Sequence, residues 1–371
     1  MAAPLAIALS ARVMVYAAGT VGARLAAHGG VFHGILSSWQ QRDANWYVRI
    51  ASNGYTYSTT GPSSVNFFPL YPLAMHLLGI VTTHLSHSNG YLLAGMLISW
   101  VAFLAASVVL YRLVADRFGV SVAYSSVLLL GMFPFSFYYG TAYTESLYLL
   151  FVLLAFLGIE RRNWWLSGAA TGLASAARPT GLIVALAVAT AYGLDWLRTR
   201  HALRWDVLAL ALTPLGLAFY AIYCQLRFGD PFAYAKASEI GWQGGHLQLG
   251  AVKQLVVILT HPGNWFHSTH QAVLYATYSL ALLAFLAACY PVWHLLGAPY
   301  ALYALLSCVV PVLNFDRLNS TGRYLSVIFP VFIVLAYALR ERPLWRDVTL
   351  IGFTIFLGIF AMAFAGGYGL S

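Results

Sequence analysis

Apolar runs of close to twenty residues, joined by short basic connections, recur along this 371-residue chain. Nothing else constrains its fold as strongly. Crossing the hydrocarbon core of a bilayer takes about 20 apolar residues. With no water there, the backbone must satisfy its own hydrogen bonds, which leaves helices or closed barrels. Barrel strands alternate apolar and polar residues at period two; these runs do not, and they read as helices. Charged residues make up only 8% of the chain and apolar ones 60%, against about 25% charged in a soluble domain. That is too little charge to cover a water-facing surface. The expectation is an all-α polytopic membrane protein: a bundle of about 9–11 transmembrane helices forming one integral membrane domain over residues 1–371.

The net charge of +9 does not point to nucleic acid. The arginines cluster in short connections, Arg112 to Arg117, Arg161-Arg162, Arg198 to Arg204 and Arg340 to Arg346, as the positive-inside rule expects of cytoplasmic loops. Between them lie apolar spans at 91–113, 121–140, 145–160, 206–224, 272–290, 298–313, 324–340 and 348–367. The stretch from Arg162 to Arg198 starts and ends on the same side, so it goes out and returns, breaking at Ala177-Arg178-Pro179-Thr180-Gly181, where proline interrupts a helix. The apolar stretch from Leu5 to about Ala27 has no small-residue cleavage site and reads as a retained first helix. Parity then places residues 28–90 outside as one large loop. Its apolar run Phe67 to Val81 cannot cross and suits a helix lying in the interface. A second external loop covers 225–271 and a short third runs from Asn314 to Tyr324. Cys224, Cys289 and Cys308 lack metal-type spacing and read as packing residues.

With only eleven acidic residues in the chain, each external one is informative. Asp43, just past the first helix, is held near headgroup depth by Trp46 and Tyr47 and can accept a proton from an attacking hydroxyl. Equally, it can cap a helix or pair with Arg42 or Arg49. Glu145 stands at the outer end of an apolar run, a functional position but also that of a helix-capping acid. Arg178 and Arg323 lie outside against the positive-inside trend. Guanidinium groups bind phosphate oxygens in pairs, although an ion pair with Glu145, Asp230 or Asp316 also accounts for them. Asp230-Pro231 reads as a turn. His246, His261, His267 and His270 fit no zinc spacing, and no Walker loop, dinucleotide fingerprint or HExxH motif occurs. No metal or cofactor is expected.

The stretch Asp43-Ala-Asn-Trp-Tyr-Val-Arg-Ile-Ala-Ser-Asn-Gly-Tyr55, followed by Asn66-Phe-Phe-Pro-Leu-Tyr-Pro72, resembles the first external loop of PIG-V-type mannosyltransferases. These belong to the GT-C class of polyprenyl-phosphate-sugar-dependent glycosyltransferases. Tyr143-Thr-Glu-Ser146, Ala177-Arg-Pro-Thr-Gly181, Phe228-Gly-Asp-Pro-Phe-Ala-Tyr234 with Trp242, and Gly322-Arg-Tyr324 ahead of Phe329-Pro330 agree in order. The resemblance covers most of the chain, and its first loop is the specific part. One departure stands out: the family often has Trp immediately before this Asp, whereas here Arg42 stands there and Trp39 lies four residues back.

The resemblance implies a GT-C-type bundle with interfacial helices in the first external loop and Asp43 as catalytic base, with Glu145 the second catalytic candidate. It further implies inverting transfer of a sugar, mannose in the family, from a polyprenyl-phosphate donor to a hydroxyl on a lipid, glycan or protein acceptor. Arg323 and Arg178 are then the candidates for the donor phosphate, with Tyr47, Tyr71 and Tyr324 as accompanying substrate-binding residues. The site would face the extracytoplasmic or lumenal side of the plasma membrane in a prokaryote, or of the endoplasmic reticulum in a eukaryote. Membrane lipids would be its surroundings and nucleic acid no partner. The alternative is a lipid-linked sugar flippase or secondary transporter, whose charges would line a midplane pathway.

The topology is testable in intact cells. With Cys224, Cys289 and Cys308 replaced by serine, a membrane-impermeant maleimide should label Ser58→Cys directly and Arg342→Cys only after permeabilisation. The reverse pattern would invert the assignment.

Overall fold

The computed structural model describes residues 2–27, 34–199, 205–242, 248–261, 270–314, 318 and 320–368, and they are helical with no strand among them. The chain is an integral membrane protein. Five described helices are long and apolar enough to cross a bilayer, and a bent pair, Trp205–Leu212 with Leu215–Phe228, makes a sixth. The long five include α1 (Ala2–Ala26), α4 (Gly90–Phe118) and α8 (Gly181–Thr199). The other two are α12 (His270–Leu296) and α16 (Pro343–Ala365). Shorter helices fill the bundle: α5 (Val120–Met132), α6 (Glu145–Glu160), α7 (Trp164–Ala177), α9 (Leu215–Phe228), α13 (Ala298–Asn314) and α15 (Phe329–Ala338).

The first loop holds the two helices expected of it, α2 (Asp43–Asn53) and α3 (Leu70–Leu85). The latter folds back on α4 and turns Leu73, Leu77, Ile80, Val81 and Leu85 outward, the apolar face an interfacial helix needs. Trp39 fastens this loop to the bundle. It is fully buried between Tyr16 of α1 and Phe364 of α16, at 4.9 and 6.0 Å between ring centroids. A Cβ on Gly19 would lie 2.2 Å from its indole, so the helix must be bare there. The second loop contains α10 (Ala233–Trp242) and α11 (Gly250–Thr260).

Three expected spans are broken, and proline is the reason each time. The run 121–140 is α-helical only to Met132, because Pro134 cannot continue the ladder; a short 3-10 turn follows at Ser136–Gly140. The run from 206 begins as a 3-10 helix and bends by 46° at Pro214. The run 324–340 divides into a short α14 (Thr321–Ser326) and α15, which starts at Phe329-Pro330. The turn at 177–181 separates α7 from α8 as expected.

The break after α5 leaves carbonyls that lipid cannot satisfy, and Arg12 of α1 takes them. Its Nη1 donates to the Ser136 carbonyl, and its Nη2 donates at 3.1 Å to both the Gly131 carbonyl and Ser136 Oγ. The guanidinium lies 4.8 Å from the Phe103 ring centroid. Tyr16 adds a bond to the Gly140 carbonyl. Carbonyls at a helix carboxyl end carry partial negative charge, so the two Nη groups of a fully buried arginine are met here with no carboxylate beside them among the described residues.

Basic connections collect at one end of the bundle, where Arg117 pairs with Glu160 at 3.4 Å and Arg162 with Asp195 at 3.0 Å. The breaks after α5, after α7 and before α15 lie at the other end, about 24 Å away along the 16 residues of α6. Removing the Arg12 guanidinium with Arg12→Leu should lower stability by at least about 1.5 kcal/mol, the worth of a charged hydrogen bond. A thermal unfolding curve in detergent, unchanged from wild type, would show that the carbonyls find other donors.

Candidate active site

Four segments distant in sequence meet at the broken end of the bundle, and each delivers one charge. Glu145 is the first residue of α6, at the positive end of its dipole, with a side chain only 1% exposed. Arg178 Nη1 donates to its Oε1 at 3.0 Å. Arg323 Nε lies 3.0 Å from the same oxygen with its N–H off the line, which makes an ion pair rather than a hydrogen bond. Arg323 Nη1 in turn donates to Asp43 Oδ2. Two cations and two carboxylates thus form a linear, neutral chain, Arg178–Glu145–Arg323–Asp43. Glu145 Oε2 is buried without a hydrogen-bond partner.

Local sequence explains each placement. Pro179 holds Arg178 extended, at φ −154° and ψ 148°, which ends α7 and turns the guanidinium toward α6. Arg323 rides on α14, which presses against the turn after α5: a Cβ on Gly322 would lie 2.4 Å from the Phe135 ring. Tyr139 Oη donates to the Ser326 carbonyl at 2.5 Å, tying α14 to that turn. Asp43 opens α2, and Tyr143 Oη fixes the approach to it by donating to the Gln41 carbonyl at 3.1 Å.

Aromatic rings enclose the cations. Arg178 lies over Tyr324 and Tyr148 at 4.9 and 5.6 Å, and Arg323 over Tyr143 and Tyr324 at 5.4 and 5.5 Å. Burial works against the Arg323 charge, but the Asp43 and Glu145 carboxylates outweigh it and hold its pKa above the ordinary arginine value. Burial, with Asp43 second, raises the Tyr47 phenol above its usual range, so that hydroxyl stays protonated.

A cavity of about 700 Å³ opens over this network, walled by Asp43, Tyr47, Asn66, Arg178, Arg323 and Tyr324 among others. Asp43, 19% exposed, is its accessible carboxylate. Glu145 does not line it. Neither does Tyr71, which packs 5.2 Å from Tyr47 and donates its hydroxyl to the Gly95 carbonyl at 2.8 Å. Arg42, Trp46, Thr144, Tyr234 and Ser238 also line the cavity. Sequence reasoning had Asn66 and Tyr234 in hand as motif members without a role, while Ser238 carried no signal. Both arginines pair with Glu145, one of the ion-pair partners expected for them, whereas Asp43 pairs with Arg323 rather than with Arg42 or Arg49. Asp230 is a turn residue, accepting from the Phe232 N–H at 3.0 Å and pairing with Lys236 at 2.6 Å.

His246 and His267 lie outside the described residues, as does Asp316. Among the described residues no group of three or more His, Cys, Asp or Glu stands within reach of a common metal ion. An apolar groove of about 610 Å³, lined by Ile50, Leu70, Leu73, Ala176 and Phe219 among others, adjoins the cavity across Phe68-Pro69 and Ala176-Ala177.

Comparison with known proteins follows the same lines. Residues 18–193 match the family described as Mannosyltransferase (PIG-V). GPI mannosyltransferase 2 of Drosophila pseudoobscura pseudoobscura is 28% identical over 118 residues, covering 30% of this chain and 25% of that protein. Among solved structures, ArnT from Cupriavidus metallidurans bound to undecaprenyl phosphate superposes with a TM-score of 0.51 at 17% identity, covering 85% of this chain and 58% of that one. The Archaeoglobus fulgidus oligosaccharyltransferase in complex with zinc and sulfate gives 0.49 at 13% identity, covering 91% and 49%. The chain thus spans a little over half the length of ArnT, and its match to the curated relative takes in a quarter of that protein. Over residues 18–193 the sequence thus resembles the PIG-V mannosyltransferases, and the fold resembles that of ArnT.

Proposed function

We propose that this protein is an inverting membrane glycosyltransferase that moves a mannosyl residue from a polyprenyl-phosphate carrier to a hydroxyl acceptor on the extracytoplasmic or lumenal face. One observation carries the reading: an accessible carboxylate, Asp43, faces the same cavity as two arginines locked in place by a buried acid. A base and a cationic leaving-group site across one cavity are what a single displacement at an anomeric carbon requires. The PIG-V match and the fold support it.

In this reading the acceptor oxygen attacks the anomeric carbon and its proton passes to Asp43. The bond from that carbon to the phosphate oxygen breaks, and its electron pair leaves with the carrier phosphate. One displacement inverts the centre. Arg323 and Arg178 meet the charge that develops on the phosphate. An arriving phosphate competes for the Arg323 donors now on Asp43, which frees Oδ2 to take the acceptor's proton. Tyr324 and Tyr47 shape the cavity, while the adjoining apolar groove takes the carrier's prenyl chain. Glu145 is a positioning residue, the anion that holds both guanidinium groups in place. The two arginines supply the positive charge, so the chemistry needs no metal or cofactor.

Radiolabelled polyprenyl-phosphate mannose, incubated with purified protein and a lipid extract of the source organism, should yield a labelled product. Asp43→Asn should cut the rate by roughly 10²–10⁴-fold, the usual worth of a general base, with thermal stability retained. Equal transfer by both proteins would remove Asp43 from the chemistry, and reconstituted flipping of the lipid without transfer would favour a transporter. Glu145→Gln should behave differently. Breaking a buried ion pair costs about 3–5 kcal/mol, so this variant should lose stability along with activity. A fully stable Glu145→Gln protein would argue against the anchoring role.

A further inference from the structure

The chain of Asp43, Arg323, Glu145 and Arg178 is electrically neutral, yet a third arginine lines the cavity. Arg42 is exposed at the cavity wall, and among the described residues it has no carboxylate within ion-pair distance. Its backbone is also anomalous. The Ala44 N–H donates to the Gln41 carbonyl at 3.0 Å, closing a four-residue turn with Arg42 at its second position. There φ is 51° and ψ is −116°, the geometry of a type II′ turn, which strongly prefers glycine. Among the described residues Arg42 is one of three non-glycine residues with positive φ. An L side chain in that region is strained and persists where the surroundings or a function demand it. A glycine would make this turn more easily and would still begin α2 at Asp43. A long cation here is therefore not explained by the fold.

From this we infer that Arg42 is a substrate-binding residue: at the cavity it binds the phosphate of the lipid-linked substrate, the anion that the neutral chain of four charges does not already balance. The inference rests on the glycosyltransfer reading above and extends it. A phosphodiester entering the cavity brings one negative charge. Arg42 supplies the matching positive charge, beside the Arg323 and Arg178 guanidinium groups that meet the same phosphate.

A phosphate at this depth has two sources, the isoprenoid carrier or a bulk anionic headgroup, and one binding experiment separates them. The full-length protein in zwitterionic nanodiscs is titrated with undecaprenyl phosphate, with polyprenol of equal length as the uncharged control and phosphatidylglycerol as the competing headgroup. Unfolding temperature and bound label are read together. Wild type should be stabilised by the phosphate and not by the alcohol. Arg42→Gly should unfold at the same temperature as wild type or higher without ligand, because glycine relieves the turn. Its affinity for undecaprenyl phosphate should nonetheless fall by roughly tenfold to a hundredfold, the weight of a charge-assisted hydrogen bond. Arg42→Gln should show the same loss and Arg42→Lys a smaller one. Unchanged affinity in the Gly and Gln variants would overturn the role of Arg42 and leave the transferase reading standing. Phosphatidylglycerol competing equally at the same mole fraction would reassign Arg42 to the membrane surface. If wild type does not respond to undecaprenyl phosphate, the donor class itself fails, and the inference fails with it.

Discussion

Charge buried away from water is tolerable only when it is matched, and that requirement governs the site end of this protein. Glu145 and Arg178 have side chains 1% and 7% exposed, and moving each ion out of water costs several kcal/mol. Two unit charges 4 Å apart recover only about 4 kcal/mol at the effective dielectric near 20 that describes protein sites. No single pair here is a strong net source of stability. The network acts instead as a condition: α2, α6, the α7–α8 turn and α14 must all arrive together, or a bare charge is left in the interior. Such a device fixes geometry more than it deepens the free-energy minimum, and fixed geometry is what the proposed phosphate site would need of its two arginines.

The helix breaks follow from the same demand. A straight helix carries its polar residues on its flank, whereas charges that must converge are more easily carried on chain ends. Pro134, Pro179 and the Phe329-Pro330 start of α15 put interruptions at the site end of the bundle. Each interruption frees backbone groups that the bilayer cannot satisfy. Arg12, Tyr16 and Ser146 then bond the carbonyls around the turn after α5, and Tyr139 of that turn bonds the Ser326 carbonyl of α14. The polar interior of α1 and the charge network are therefore one construction, with Arg12 stabilising the turn against which the helix carrying Arg323 rests.

What the sequence revealed and what it concealed divide along physical lines. Apolar run length is a strong and local signal, and it places α1, α4, α12 and α16 with little ambiguity. Proline breaks are also local: the 177–181 turn was readable, and Pro134 and Pro214 lay within runs that length alone had made continuous. Asp43, Glu145, Arg178 and Arg323 stood out because ionisable residues are so scarce here. Their pairing, across as many as 280 positions between Asp43 and Arg323, is a tertiary fact with no trace in spacing. Tyr71 shows the opposite limit. It sits in the most specific motif of the chain, yet its hydroxyl serves the α3–α4 contact with Gly95. Arg12 carried a legible signal, an arginine within an apolar run, whose partners are backbone carbonyls that no side-chain pattern reports.

Asp43 cannot at once hold Arg323 and take a proton on Oδ2, the oxygen that Arg323 occupies. On the proposed reading the arrangement is therefore a resting one. In it the neutral chain of charges would keep the base occupied, which would also discourage water from being activated against a donor bound without its acceptor. What releases the base has to be an anion strong enough to compete for Arg323 and to sit where Asp43 can still reach an acceptor oxygen. A phosphate entering beside Arg178 and Tyr324 meets both conditions. Binding and activation would then be a single event: the group that must be stabilised as it leaves is also the group whose arrival frees the base. In the proposed transfer the sugar's own bond to phosphate would set the order of events, with no moving domain required, and the rigidity of the buried Glu145 anchor would allow so small a change in pairing to matter.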